Sequence, residues 1–112
     1  MGFSQSDIDK VWDKLDEENA QNEKDGFRKD QCSAWIRKSE YGNRDHKHGW
    51  EIDHITPKSK GGTDEISNLR ALHWKNNAAR QDGKLNTKKP AVKSVGVKNH
   101  ELDPDTDEYS VM

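Results

Sequence analysis

Asp53 and His54 stand side by side at the end of the segment WEIDHI, and Pro57 and Gly61-Gly62 follow closely. An ionised carboxylate is a hard oxygen ligand for a divalent cation. A neutral imidazole near pH 7 can take a proton from water. Together they are what phosphodiester hydrolysis needs: a cation on the phosphoryl oxygens and an activated water attacking in line. Consecutive residues of a regular strand point to opposite faces, so the two are poorly placed to chelate one ion together. They suit two separate jobs near one substrate group, where the strand ends or bends. Standing alone, an Asp-His pair is more often a surface ion pair than a site. His46 and His48, in RDHKHGW, have a spacing that can bind a metal or simply occupy a solvated turn. Cys32 is the lone cysteine, which excludes an internal disulfide and a cysteine zinc site.

Holding such a pair in place takes a core, and 112 residues suffice for one domain with a modest one. Only 29% of the chain is hydrophobic and 36% is charged, so the core must rest on few side chains. Trp12, Trp35, Trp50 and Trp74 are the expected anchors, as packing residues rather than base-stacking platforms. Ser4 or Ser6 can cap a helix whose Ile8, Val11, Trp12 and Leu15 follow the i, i+3, i+4, i+7 rule. That helix fades in the polar run EENAQNEKDG, with Gly26 as a stop. Ala34-Trp35-Ile36 predicts a short strand, Tyr41-Gly42-Asn43 a turn, and WEIDHI a second strand. Leu69, Leu72 and Trp74 fit another strand, leading into a helix over residues 74–81 that ends at Gly83. Beyond Lys84 no periodicity survives, and the composition predicts a disordered tail.

The net charge of −2 is segregated. Residues 1–25 carry three Lys against eight Asp/Glu, residues 26–93 fifteen Lys/Arg against eight, and residues 94–112 one Lys against five. A basic middle of +7 between acidic ends of −5 and −4 suits a polyanion for the middle alone, and a protein partner for the ends. No run approaches the roughly 18–20 apolar residues of a membrane span. The N-terminus lacks the order of a secretory signal, so a cytoplasmic protein is expected.

The pattern D-H-I-x-P-x-S-x-G-G, followed by N-L-x-x-L-H-x-x-N-N, closely resembles the HNH nuclease family. It is supplied by Asp53-His54-Ile55, Pro57, Ser59 and Gly61-Gly62, then Asn68-Leu69, Leu72-His73 and Asn76-Asn77, within residues 50–83. The resemblance implies a ββα-metal motif, two antiparallel strands, a loop and a helix clamping one divalent ion against the scissile phosphate. On that resemblance Asp53 matches the metal-binding acid and His54 the general base. Asn68 matches the central asparagine, whose amide ties the loop to the backbone and helps orient the imidazole. A base must be held to within about 0.5 Å to work well. Asn77 falls where the family places its last metal ligand. Many members have a Cys where His73 stands, in a four-cysteine zinc site. Here Lys38 and Tyr41 lie near the upstream positions, and tryptophan packing is expected to replace the zinc. His73 and Asn77, four apart, would share a helix face, which makes His73 a second candidate ligand. Otherwise His73 is a helix-start residue hydrogen-bonded to backbone.

The expected molecule is therefore α+β, with a small ββα-metal core in residues 26–93, an acidic N-terminal helix in 1–25 and a flexible acidic tail in 94–112. Its implied activity is hydrolysis of DNA with Mg²⁺ or Mn²⁺ and no structural zinc, in a bacterial or phage protein. Arg37, Lys38, Arg44, Lys58, Lys60, Lys75 and Arg80 are the candidate phosphate contacts. The alternatives are a non-catalytic nucleic-acid-binding module on the same fold and a nuclease toxin or effector component.

Overall fold

The structure, a computed structural model, describes residues 2–80 and 83–112. Helix α1, Gln5–Asp13, starts where Ser4 Oγ accepts the Asp7 amide at 3.1 Å. Its stripe of Ile8, Val11 and Trp12 is buried against β4, Leu69–His73. Trp12 meets the fully buried Trp50 of β3, Trp50–His54, with ring centroids 5.2 Å apart. Tyr41 packs edge-on against the other side of Trp50, at 4.9 Å. Burying aromatic rings of this size is the largest favourable contribution available to so polar a chain. Strands β3 and β4 pair antiparallel from Trp50↔His73 to His54↔Leu69, and helix α3, Trp74–Arg80, follows β4 directly. This strand–loop–strand–helix unit matches the ββα arrangement expected of the family, and the whole is α+β. The expected helix end at residue 81 lies outside the described residues.

Three elements depart from the sequence reading. The polar run after α1 contains a second helix, α2, Ala20–Asp25, capped by Asn19 and stopped by Gly26 in the left-handed region at φ 86°. It has no buried side chain of its own, so no apolar stripe announces it. It is held instead by Arg28, whose guanidinium grips Glu23 at 2.6 and 2.8 Å and reaches the Trp12 and Leu15 carbonyls at 3.1 Å. Second, Phe27–Lys29 forms β1, paired antiparallel with β2, Trp35–Arg37. Asp30 closes this hairpin by accepting the amides of Cys32 and Ala34, both at 2.9 Å.

The third departure is a correction: residues 92–112 are not a flexible tail. Strands β5, Val92–Val95, β6, Lys98–Asp103, and β7, Glu108–Val111, form an antiparallel sheet. Val92 is buried, but the docking is largely polar, which hydropathy does not register. The Asn99 amide acts as a peptide group toward Trp35, accepting its N–H at 2.7 Å and donating to its carbonyl at 2.8 Å. Asn76 of α3 does the same for Val92, at 2.8 and 3.0 Å. Among the described residues no helix is long and apolar enough to cross a membrane.

Candidate active site

His54 is the last residue of β3, and the loop after it turns immediately at Pro57. Asn68 ties that loop to the strand end. Its Oδ1 accepts the Thr56 amide at 2.9 Å, while Nδ2 donates to the carbonyls of Thr56 at 3.1 Å and Thr63 at 2.8 Å. The Asn68 carbonyl takes the Ile55 amide at 2.8 Å. Gly62 closes the loop so tightly that a Cβ there would lie 1.7 Å from the Thr56 carbonyl oxygen and 3.0 Å from the Asn68 amide nitrogen. A residue with any side chain would force the brace apart.

That brace delivers Asp64 to His54. The distance from His54 Nε2 to Asp64 Oδ1 is 2.7 Å, and Lys58 Nζ sits 3.0 Å from the other carboxylate oxygen. The His54 hydrogen bond, reinforced by Lys58, holds the Asp64 carboxyl below its usual range. An ionised carboxylate only accepts, so Nε2 is the protonated nitrogen, and in the neutral ring the lone pair falls to Nδ1. The arrangement fixes the orientation of the His54 ring and the tautomer of its neutral form.

Asp53 is 7% exposed, and both its oxygens meet guanidinium groups. Arg70, its cross-strand neighbour, donates at 2.8 Å, and Arg80 of α3 at 2.7 and 2.9 Å. Two residues earlier on the same strand, Glu51 is gripped by Arg44 at 2.7 and 2.8 Å and accepts the Asn77 side-chain amide at 2.9 Å. Burial pushes the Glu51 carboxyl up, but the hydrogen bonds from Arg44 and Asn77 outweigh it and hold the group below its usual range. Asp53, His54, Asn77, Arg44, Lys58 and Arg80 all line one open cavity of about 470 Å³. Its oxygen donors, a carboxylate from Asp53 and an amide from Asn77, are the hard type that Mg²⁺ and Mn²⁺ prefer. Both Asp53 oxygens are held by guanidinium groups, and Arg44, Lys58 and Arg80 outnumber the one carboxylate among the described lining residues. The donor types thus suit a hard divalent ion, while such an ion would have to displace Arg80 from Asp53. Among the described residues no three His, Cys, Asp or Glu side chains cluster as ligands, so protein atoms alone would leave much of such an ion's shell to water or substrate.

The structure does not bring every candidate here. His73 is the last residue of β4 and precedes the helix, so it does not share a helix face with Asn77. It is 0% exposed, with Nε2 on the Lys47 carbonyl at 2.8 Å and Nδ1 on the Lys75 amide at 3.1 Å. Both ring nitrogens are occupied, and the ligand expectation for His73 is corrected accordingly: it is a brace at the helix start. Burial pushes its pKa down to about 4, so the ring is neutral. His46 and His48 form a turn, with the His48 amide on His46 Nδ1 at 3.0 Å and its ring against Phe27. Arg37 and Lys38 line a different hollow beside α1, and Lys75 pairs with Glu101 at 3.3 Å. Arg80 is committed to Asp53 rather than open surface. Of the candidate phosphate contacts, Lys58 and the exposed Lys60 lie on the loop beside His54.

Sequence reasoning missed Glu51, Asp64 and Arg70. Glu51 was legible as a strand residue two before Asp53, on the same face by the two-residue period. Asp64 and Arg70 carried no such signal, because a loop closure and a strand register place them. The family model for HNH endonuclease matches residues 40–83. No curated protein and no solved structure matches the chain.

Proposed function

We propose, from the HNH endonuclease family segment that residues 40–83 form, that this protein is a DNA endonuclease dependent on a divalent metal. The family assignment carries nuclease-type chemistry on nucleic acid. What supports a working site in this chain is one observation: His54, its Nε2 held by Asp64, lines the same cavity as Asp53 and Asn77.

In this reading His54 Nδ1 takes a proton from the attacking water, and Asp64 stabilises the imidazolium as it forms. Asn68 keeps the loop and hence Asp64 in register with the imidazole. Asp53 and Asn77 would hold the ion, which when bound polarises a phosphoryl oxygen and offsets charge on the leaving group. Lys58 and Lys60 bind neighbouring phosphates of the strand. Arg80 balances Asp53 before the ion arrives. The expected products carry 5′-phosphate and 3′-hydroxyl ends.

Purified protein should nick or linearise supercoiled plasmid with Mg²⁺ or Mn²⁺, and EDTA should abolish this. Equal cleavage in EDTA would overturn the mechanism. DNA binding without cleavage under any divalent ion would instead make the fold a binding module.

A further inference from the structure

An asparagine serves as a metal ligand only through its carbonyl oxygen, and its amide group has two orientations of nearly equal shape. For the half-buried Asn77 of α3, its hydrogen bond to Glu51 decides between them rather than the backbone. The ionised Glu51 carboxylate can only accept, so it selects the orientation with the Asn77 NH₂ toward Oε1, at 2.9 Å. Asn77 Oδ1 is thereby turned away from Glu51, on the side chain that lines the cavity with Asp53 and His54. Arg44 in turn clamps both Glu51 oxygens, fixing the carboxylate.

We infer that Glu51 is a positioning residue for the metal site: it orients the Asn77 amide and so presents its carbonyl oxygen to a divalent cation. The inference rests on the metal-dependent reading above and deepens it. Groups that orient a ligand in this way commonly change metal affinity about 10–100-fold when replaced.

The test measures Mn²⁺ affinity by calorimetry and by the electron paramagnetic resonance of free Mn²⁺, in full-length protein without DNA. Glu51→Gln can donate as well as accept, so it loses the bias, and affinity should fall about 10-fold or more. The loss could also reflect the missing charge, and a cycle separates the two. Asn77→Asp offers two equivalent oxygens and needs no orientation. In that background Glu51→Gln should leave affinity unchanged or raise it, because a like-charge contact is relieved. An equal loss in both backgrounds would mean that Glu51 acts through charge alone, and the inference fails. Unchanged affinity on Glu51→Gln in the native background also overturns it. Should Glu51→Gln melt early, Glu51→Ala, which leaves the amide without an acceptor, reports the same loss. Asn77→Ala identifies a different failure. If it binds Mn²⁺ as the native protein does, or the native protein binds none, the metal-site reading itself is wrong.

Discussion

At the scale of single residues, the proposed base and the proposed metal ligands are different side chains, Asp53 and His54 being neighbours on β3, and each can be removed separately. His54→Ala removes the proton acceptor and leaves Asp53 and Asn77 in place. Cleavage should fall by about 10²-fold or more, with Mn²⁺ affinity by calorimetry little changed. Loss of the metal would make His54 a ligand. Asp64→Asn keeps the size of its side chain but loses the charge that faces the imidazolium. Turnover should drop about 10-fold at saturating substrate while KM and Mn²⁺ affinity stay near native values, and Asp64→Glu should recover part of the loss. Native turnover in Asp64→Asn would leave the 2.7 Å contact a surface ion pair without catalytic consequence.

At the scale of elements, α3 carries two adjacent asparagines with opposite tasks. Asn77 faces the cavity, while Asn76 is 2% exposed and bonds the Asp30 carboxylate at 3.1 Å as well as the Val92 peptide. Asp30 also accepts the His73 amide at 2.9 Å, so one buried carboxylate joins the β1–β2 hairpin, the end of β4 and the start of α3. Burial pushes its pKa up, against four hydrogen bonds that favour its charge. Asn76→Ala strands the Val92 N–H and carbonyl in the interior, and should cost about 3 kcal/mol, read as a midpoint shift in urea unfolding. Asn77→Ala should leave that midpoint within about 0.5 kcal/mol, the scale of a surface change. Equal midpoints for the two variants would mean that the C-terminal sheet does not depend on Asn76. The same docking means that deleting residues 94–112 removes the partner of Trp35 and lowers stability.

At the scale of the whole molecule, the segregated charges meet one another. Acids of the N-terminal segment pair with Arg28, Lys29 and Lys38, while Glu101 and Asp107 of the C-terminal sheet pair with Lys75 and Lys89. The basic middle is thus partly neutralised from within, and beside the cavity the exposed Lys60, with Lys58 shared with Asp64, is the cation best placed for DNA. Two neutral histidines govern the acid response. Burial pushes His48 and His73 down to about 4, against about 6.5 in an unfolded chain. Between those values the unfolded state binds more protons, so stability falls as pH falls from about 6.5 toward 4 and levels off below. For fully buried His73 the slope is up to about 1.4 kcal/mol per pH unit, and for half-buried His48 less. Urea midpoints at pH 7 and 5, above most carboxylate titration, should show the decline, and His73→Gln should flatten it. An unchanged slope in His73→Gln would place the effect elsewhere.

The division between what the sequence determined and what only the tertiary structure decided follows interaction range. The α1 stripe, the β3 and β4 segments, the helix after Trp74 and the adjacency of Asp53 and His54 were legible, because each depends on a local period or a fixed spacing. The Asn68 brace was legible too, through the family pattern. The C-terminal sheet was not, since its docking runs through the amides of Asn76 and Asn99, and no hydrophobic period marks an amide that replaces a peptide group. The His73 ligand reading failed by one residue of helix boundary, which moved the ring from the helix face into the core. Glu51 and Asp64 became site residues only when β3 and the Gly62 loop set them against Asn77 and His54. Those contacts join residues 26 and 10 positions apart in the chain. Chemistry of that range is written in the fold, where cross-strand register and loop closure choose a side chain's neighbours.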